Sequence, residues 1–402
     1  MEKKKIKVGF GPYQYFVNYD KEKFDKEAAI KLSGLYAGIC YDREGLSHLM
    51  QEPESKTTGR ANMTMSNAHH SVFDHVTVNL NIQNLPKILA MVLNNEHQYN
   101  TSEKSARYTP VIVEDDSIIT GEEERLYNKW MNIFKIRIKD QYGDIYNDSK
   151  ITKLAQENAR YLVTVFMPTQ MVYSAPVAQL NRLAAWMKKY IKAANMNDYF
   201  ERTLAVSMQE FVDELERLNI LEPGLMKNEK DRSLSLFGND LDQIEEHFGD
   251  VYATTYKGSF AEYAQAQRHR TLDYQLEILD EKEYFIPPII MDDPMLVEEW
   301  LNDMNVVRDV YPQGELVLIS EMGTYDNFIL KCQERLCAAA QLEIMRQTRE
   351  TLLRYQEVLE AKDHRYAKDI KKYTRGARCT FPNFNCPSRC GFKEGIDLSR
   401  KI

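Results

Sequence analysis

Residues 69–108 read His69-His70-Ser71-Val72-Phe73-Asp74-His75, then VTVNLNI over Val76–Ile82, then a run from Leu85 to Leu93, and finally Glu103-Lys104-Ser105-Ala106-Arg107-Tyr108. The VTVNLNI stretch alternates apolar and polar residues, the period of a half-exposed strand. The run after it has helical spacing. The block thus reads as a strand followed by a helix, flanked by two polar clusters.

Outward from this block, short apolar runs open the chain at Ile6–Phe10 and Tyr13–Val17. Lys23–Met50 is expected to be helix-rich, with Leu32, Leu35 and Ile39 at helical spacing, and the polar stretch Gln51–Asn67 reads as a loop. Glu122–Tyr142, Thr152–Met167 and Ala178–Leu218 have helical character. Glu222–Asp240 carries Pro223, Gly224, a charge cluster and Gly238, the composition of a linker. The order of events then repeats in compressed form. Asp250–Tyr256 is strand-like, Phe260–Arg270 helical, Leu316–Ser320 a short apolar run, and Asn327–Tyr373 one long amphipathic helix or two, with Leu336, Ala340 and Ile344 on one face. The expected organisation is a first unit at 1–221, a linker at 222–240, a second unit at 241–373 and an irregular cysteine-containing tail at 374–402.

The bulk numbers agree with two globular units. The chain has 402 residues, 43% hydrophobic and 28% charged, enough for a core in each half. A formal net charge of -8 argues against a nucleic acid polymer as partner, although a local arginine cluster can still hold a nucleotide. No stretch has the length of a membrane span, and the lysines at Lys3–Lys5 precede no apolar segment, so a cytoplasmic protein with no membrane partner is expected. Six cysteines in so long a chain do not make a disulfide framework.

A third polar cluster, Gln265-Ala266-Gln267-Arg268-His269-Arg270, ends the helical stretch of the second half. Taken alone, an Arg-His-Arg triplet is an ordinary solvated surface. Taken in order, the three clusters resemble the flavin-dependent thymidylate synthases, which carry an H-x-[ST]-x-F-E-H element, a strand and helix, then Q-x-x-R-H-R running into E-x-S-x-R-Y. Residues 69–108 are similar to that whole block, except that Asn94-Asn95-Glu96-His97 stands at the Arg-His-Arg position. Residues 265–270 supply the triplet, but no E-x-S-x-R-Y follows them. Ala159-Arg160 in the first half and Arg308–Pro312 in the second resemble the family's A-R segment. Arg335 followed by Ala340-Gln341-Leu342-Glu343-Ile344 resembles its late L-R and A-Q-W-E-I elements, whose arginine position falls near Met187 in the first half. The N-A-R segment is kept in neither half, reading Pro176-Val177-Ala178 and Thr324-Tyr325-Asp326.

The resemblance implies two homologous α+β units, each a mixed sheet with packed helices, and a site shared between unlike halves. Gln265, Arg268, Glu103, Ser105, Arg107 and Arg160 would bind dUMP, and Arg335 would be the catalytic arginine set against the pyrimidine. Ser71, Glu103, Arg268, His269 and Arg270 would line an FAD site. The implied activity is reductive methylation of dUMP to dTMP with methylenetetrahydrofolate and NADPH. The alternatives are a related pyrimidine nucleotide C5 methylase or hydroxymethylase, and a non-catalytic nucleotide- or flavin-binding homologue. The family's four-unit assembly implies a homodimer of this chain forming a pseudo-tetramer.

Guanidinium forks suit a phosphate, glutamine can donate and accept at a uracil edge, and a fixed positive charge stabilises an ionised ring nitrogen. No metal site is expected. His69, His70 and His75 lack a fourth ligand and read as a buried turn, and Cys379, Cys386 and Cys390 as a structural tail. Trp130, Trp186 and Trp300 are expected to pack in cores.

Overall fold

The computed structural model describes residues 4–105, 118–227, 232–238, 244–268, 270–386, 390 and 398–402. The chain is α+β and forms two compact units, one of Glu2–Lys104 with Pro168–Leu234 and one of Ser105–Met167 with Ser235–Ile402.

In the first unit, β1 (Lys7–Phe10), β4 (Thr77–Pro86), β5 (Asn100–Glu103) and β6 (Pro168–Pro176) form an antiparallel sheet in the order β1-β4-β6-β5. The alternation read from the sequence is the alternation of β4: Val78, Leu80 and Ile82 are buried while Asn79 and Asn81 are half-exposed. Its register with β6 shifts between Ile82 and Leu85, where Asn84 takes φ +56°, a left-handed backbone that asparagine tolerates. Pro86 then caps α4 (Lys87–Leu93), which is buried throughout. A short pairing of β2 (Val17–Asn18) with β3 (Lys23–Phe24) precedes α1 (Lys26–Ala37) and the single turn α2 (Leu46–Leu49).

The polar stretch expected to be a loop is instead helical, as α3 (Glu54–Ser66). Its buried stripe is Thr57, Ala61 and Thr64, small rather than apolar, so hydrophobic periodicity could not reveal it. Small residues let α1 and α3 approach closely. A Cβ on Gly34 would lie 2.3 Å from the Thr57 carbonyl oxygen. Strand β6 leads into α7 (Val177–Ala193), followed by α8 (Tyr199–Arg217) and the short α9 (Pro223–Met226).

The second unit contains a sheet of the same strand order, β7-β8-β10-β9, from β7 (His247–Phe248), β8 (Val251–Ser259), β9 (Asp273–Ile278) and β10 (Leu316–Thr324). Here too each long strand feeds a helix directly, β8 into α10 (Phe260–Ala266) and β10 into α12 (Tyr325–Arg335). Also packed in this unit are α5 (Gly121–Tyr142), α6 (Asp148–Ala159) and α11 (Pro294–Val306). Leu126, Trp130, Phe134 and Ile138 form one stripe of α5 and share a core with Trp300 and Met304 of α11. The rings of Trp130 and Trp300 meet edge to face at 4.8 Å, and Trp130 Nε1 donates to Asp303 at 2.7 Å. The compact units thus divide the chain differently from the boundaries at 221 and 241, because the stripe of α5 is buried with α11.

Two helical expectations are corrected. The helix expected to run to Met167 ends at Ala159, where Arg160 begins a 3-10 turn. The long helix expected over Asn327–Tyr373 is broken between Arg335 and Leu342, giving α12, α13 (Leu342–Ala361) and the short α14 (Ala367–Ile370). Leu336 therefore caps α12, Ala340 lies outside both helices, and the expected common face does not exist. The tail makes no strand or α-helix among its described residues, but Leu398 and Ile402 are buried and Arg400 Nη2 donates to the Ala340 carbonyl at 2.8 Å.

One face of the second sheet holds buried charge. Lys331 of α12 and Glu321 of β10 form an ion pair with both side chains fully buried. Tyr252 donates to Glu321 at 2.7 Å, and Lys331 donates to Gln347 at 3.1 Å. Nearby, burial pushes the Glu262 carboxyl up to about 8 against the pull of Lys331. A folded-state value above the unfolded one favours folding fully below pH 4.5, and that contribution is lost as pH rises towards 8. Stability is expected to fall across that window by about 1.4 kcal/mol per pH unit at the one-proton limit. Glu262→Gln, neutral at every pH, should flatten the fall in a series of thermal melts. An unchanged slope would show that water reaches this carboxyl.

Candidate functional site

The second unit brings Arg160 and Gln265 to Gln341 and sets Arg335 against Gln265. Helix α10 is buried along its whole length, which carries Gln265 to the interior at 7% exposure. Arg160 caps the end of α6 and Gln341 the start of α13, and both are buried. Arg160 Nη2 donates to Gln341 Oε1 at 2.5 Å, and Gln265 Nε2 donates to the same oxygen at 2.5 Å. The Gln341 backbone N–H donates to Gln265 Oε1 at 3.4 Å. From the end of α12, Arg335 Nη2 donates to the Gln265 carbonyl at 3.0 Å.

Behind these residues the network continues into carboxylate. Gln341 Nε2 donates to the Tyr161 hydroxyl, which donates to Glu343 at 2.9 Å. Glu343 also accepts from the Ser259 N–H at 2.9 Å and the Ser259 hydroxyl at 2.6 Å. Burial raises the Glu343 carboxyl above its usual range, opposed by these donors and by Arg160. Sequence reasoning assigned no role to Gln341, Tyr161, Glu343 or Ser259. The available signal was the pair of polar residues Gln341 and Glu343 inside the apolar AQLEI segment.

Arg268 and Arg270 are exposed just beyond α10, and the Arg268 N–H closes back on the Gln265 carbonyl at 3.3 Å. His269 and Arg107 lie outside the described residues. Ser105 is half-buried. In the first unit, Glu103 of β5 is paired with Lys87 at 2.5 Å, and its Oε2 is buried without a hydrogen-bond partner. Ser71 is exposed in the 3-10 turn His70–His75. That turn, expected to be buried, buries only Phe73.

At Asn94–His97, the first-half counterpart of the Arg-His-Arg triplet, the chemistry is reversed. The Glu96 side chain is 1% exposed and forms an ion pair with Arg232, whose guanidinium lies 4.0 Å from the Trp186 ring centroid. A buried carboxylate neutralised from within the chain offers no site to an anion. Cys332 is buried, and burial raises its thiol above the ordinary range. Among the described residues no group of three or more His, Cys, Asp or Glu is placed to hold a metal ion, and no helix is long and apolar enough to cross a membrane.

Residues 25–212 match the family model described as thymidylate synthase complementing protein. The resemblance carried by residues 69–108 falls inside the matched region. Among solved structures, the chain is similar to Thymidylate Synthase X (ThyX) from Helicobacter pylori with FAD and dUMP, at 16% identity and a TM-score of 0.32. It is also similar to the UMP/dUMP methylase PolB from Streptomyces cacaoi bound with 5-Br dUMP, at 12% identity and a TM-score of 0.30. Each likeness covers 56% of this chain and 100% of the other. No curated protein matches.

Proposed function

We propose that the chain is a flavin-dependent thymidylate synthase that methylates dUMP to dTMP, using methylenetetrahydrofolate and NADPH. The observation that carries this reading is that Arg160 and Gln265 meet at the buried Gln341 while Arg335 holds the Gln265 carbonyl, in a chain whose residues 25–212 match the thymidylate synthase complementing model. Arg160 lies in the first half of the sequence and the other two in the second, and all three belong to one compact unit. The shared strand order of the two sheets supports a duplicated chain with repeats at 1–221 and 241–373. A homodimer would then supply four such units.

In this reading Arg160, with Arg107 and Ser105, positions the nucleotide phosphate, Gln265 meets the base edge and Arg335 stabilises negative charge on the pyrimidine. The proposed FAD residues belong to different units. In the second unit Arg268 and Arg270 are exposed guanidiniums at one helix end, suited to a diphosphate. In the first unit the buried Glu103 Oε2 is an acceptor for an N–H or O–H. Ser71 and His269 complete the proposed flavin residues. When bound, reduced flavin supplies the one-carbon transfer and the hydride.

Release of tritium from C5-labelled dUMP, with dTMP formed in step, is the expected result when FAD, methylenetetrahydrofolate and NADPH are present. Arg270→Ala should weaken FAD binding by about 1–3 kcal/mol, the loss of a charged hydrogen bond. Absence of both flavin binding and dTMP would favour a non-catalytic homologue.

A further inference from the structure

Gln341 has no role in the reading above, and we infer that it fixes which way round Gln265 presents its amide, making the site selective for uracil over cytosine. This rests on the placement of Gln265 at the base edge. A glutamine side chain offers two N–H donors and two acceptor lone pairs, and rotating it by half a turn exchanges them. Left alone, Gln265 would suit either base.

The contacts remove that freedom. Arg160 carries donors only, so the Gln341 atom facing it at 2.5 Å is the carbonyl oxygen. The same oxygen faces Gln265 at 2.5 Å, so Gln265 must turn its amide nitrogen towards it. The Gln341 N–H, a donor, lies against Gln265 Oε1 at 3.4 Å. Turning Gln265 over would set oxygen against oxygen and N–H against N–H, losing both hydrogen bonds in a buried place. Gln341 is held in turn, because its amide nitrogen donates to Tyr161, whose hydroxyl proton goes to Glu343 at 2.9 Å. The polarity therefore runs from a carboxylate at one end and a guanidinium at the other. Gln265 keeps one N–H and one lone pair, both at fixed positions. Uracil and cytosine reverse donor and acceptor at ring positions 3 and 4, so a fixed amide favours one of them, which the proposed function makes uracil.

The test uses the full chain, with titration of dUMP and dCMP by calorimetry and hydrogen exchange of the Gln265 side-chain amide, its resonance identified by its loss in Gln265→Leu. In the native chain dUMP is expected to bind at least about 10-fold tighter than dCMP, and the amide to exchange slowly. Gln341→Met keeps the length but removes the polarity. It should bring the dUMP to dCMP ratio towards one and speed exchange about 10-fold. Gln341→Glu keeps an oxygen facing Arg160 and Gln265, so it should retain selectivity despite its added buried charge, a result that a merely structural role does not produce. Binding of dUMP with the same ratio in all three chains overturns this inference alone. Binding of neither nucleotide by the native chain overturns the proposed function, and this inference with it.

Discussion

Arg335→Lys is expected to lower turnover by about 100-fold or more, the scale for removing one preorganised charge partner, while leaving the fold and flavin binding intact. Arg335 ends α12 with its side chain only 15% exposed, and one guanidinium nitrogen donates to the Gln265 carbonyl at 3.0 Å. That bond fixes the plane of the group. Lysine keeps the charge but has no planar fork, so it cannot hold the Gln265 carbonyl and face the base in the same geometry. In a site shielded from water the charge acts strongly, which makes its misplacement costly. Arg160→Lys, assigned to phosphate positioning, should instead mainly raise the dUMP concentration required, the behaviour of lost uniform binding. Tritium release from C5-labelled dUMP measures both variants. Full turnover in Arg335→Lys, beside an active native chain, would show that another arginine faces the base.

The second large effect concerns stability rather than turnover. Lys331→Met is expected to cost about 3–5 kcal/mol, because it leaves the Glu321 carboxylate buried without its cation. Glu321→Gln strands Lys331 in the same way. The double variant should recover most of the loss, since it removes both charges and keeps an oxygen for the Tyr252 hydroxyl. Denaturant unfolding of the two single variants and the double closes the cycle. Losses below about 1 kcal/mol in both single variants would mean that the pair is solvated, as surface pairs are.

Sequence alone determined the local elements and the chemistry they carry. Alternation in VTVNLNI gave β4 its buried face, the helical character of Glu122–Tyr142 gave α5, and the clusters at 69–75 and 103–108 lie in the stretch that matches the thymidylate synthase complementing model. These signals lie within a few residues of one another, the range over which strand and helix geometry repeat. The helix α3 escaped because its buried stripe is small and polar. The break before α13 escaped for the opposite reason, since Cys337–Gln341 is alanine-rich and favours helix. Tertiary structure overrode that preference by giving the Gln341 N–H and side chain partners on α10 and at Arg160 and Tyr161.

Only the tertiary structure decided that α5 and α6 belong to the compact unit of the second sheet, and that Arg160 meets Gln341 across 181 residues and Arg335 meets Gln265 across 70. No local period encodes such pairings. Closing loops of that length costs entropy that grows slowly with length, so burial of the α5 stripe and of the polar network, not sequence proximity, determines which residues meet.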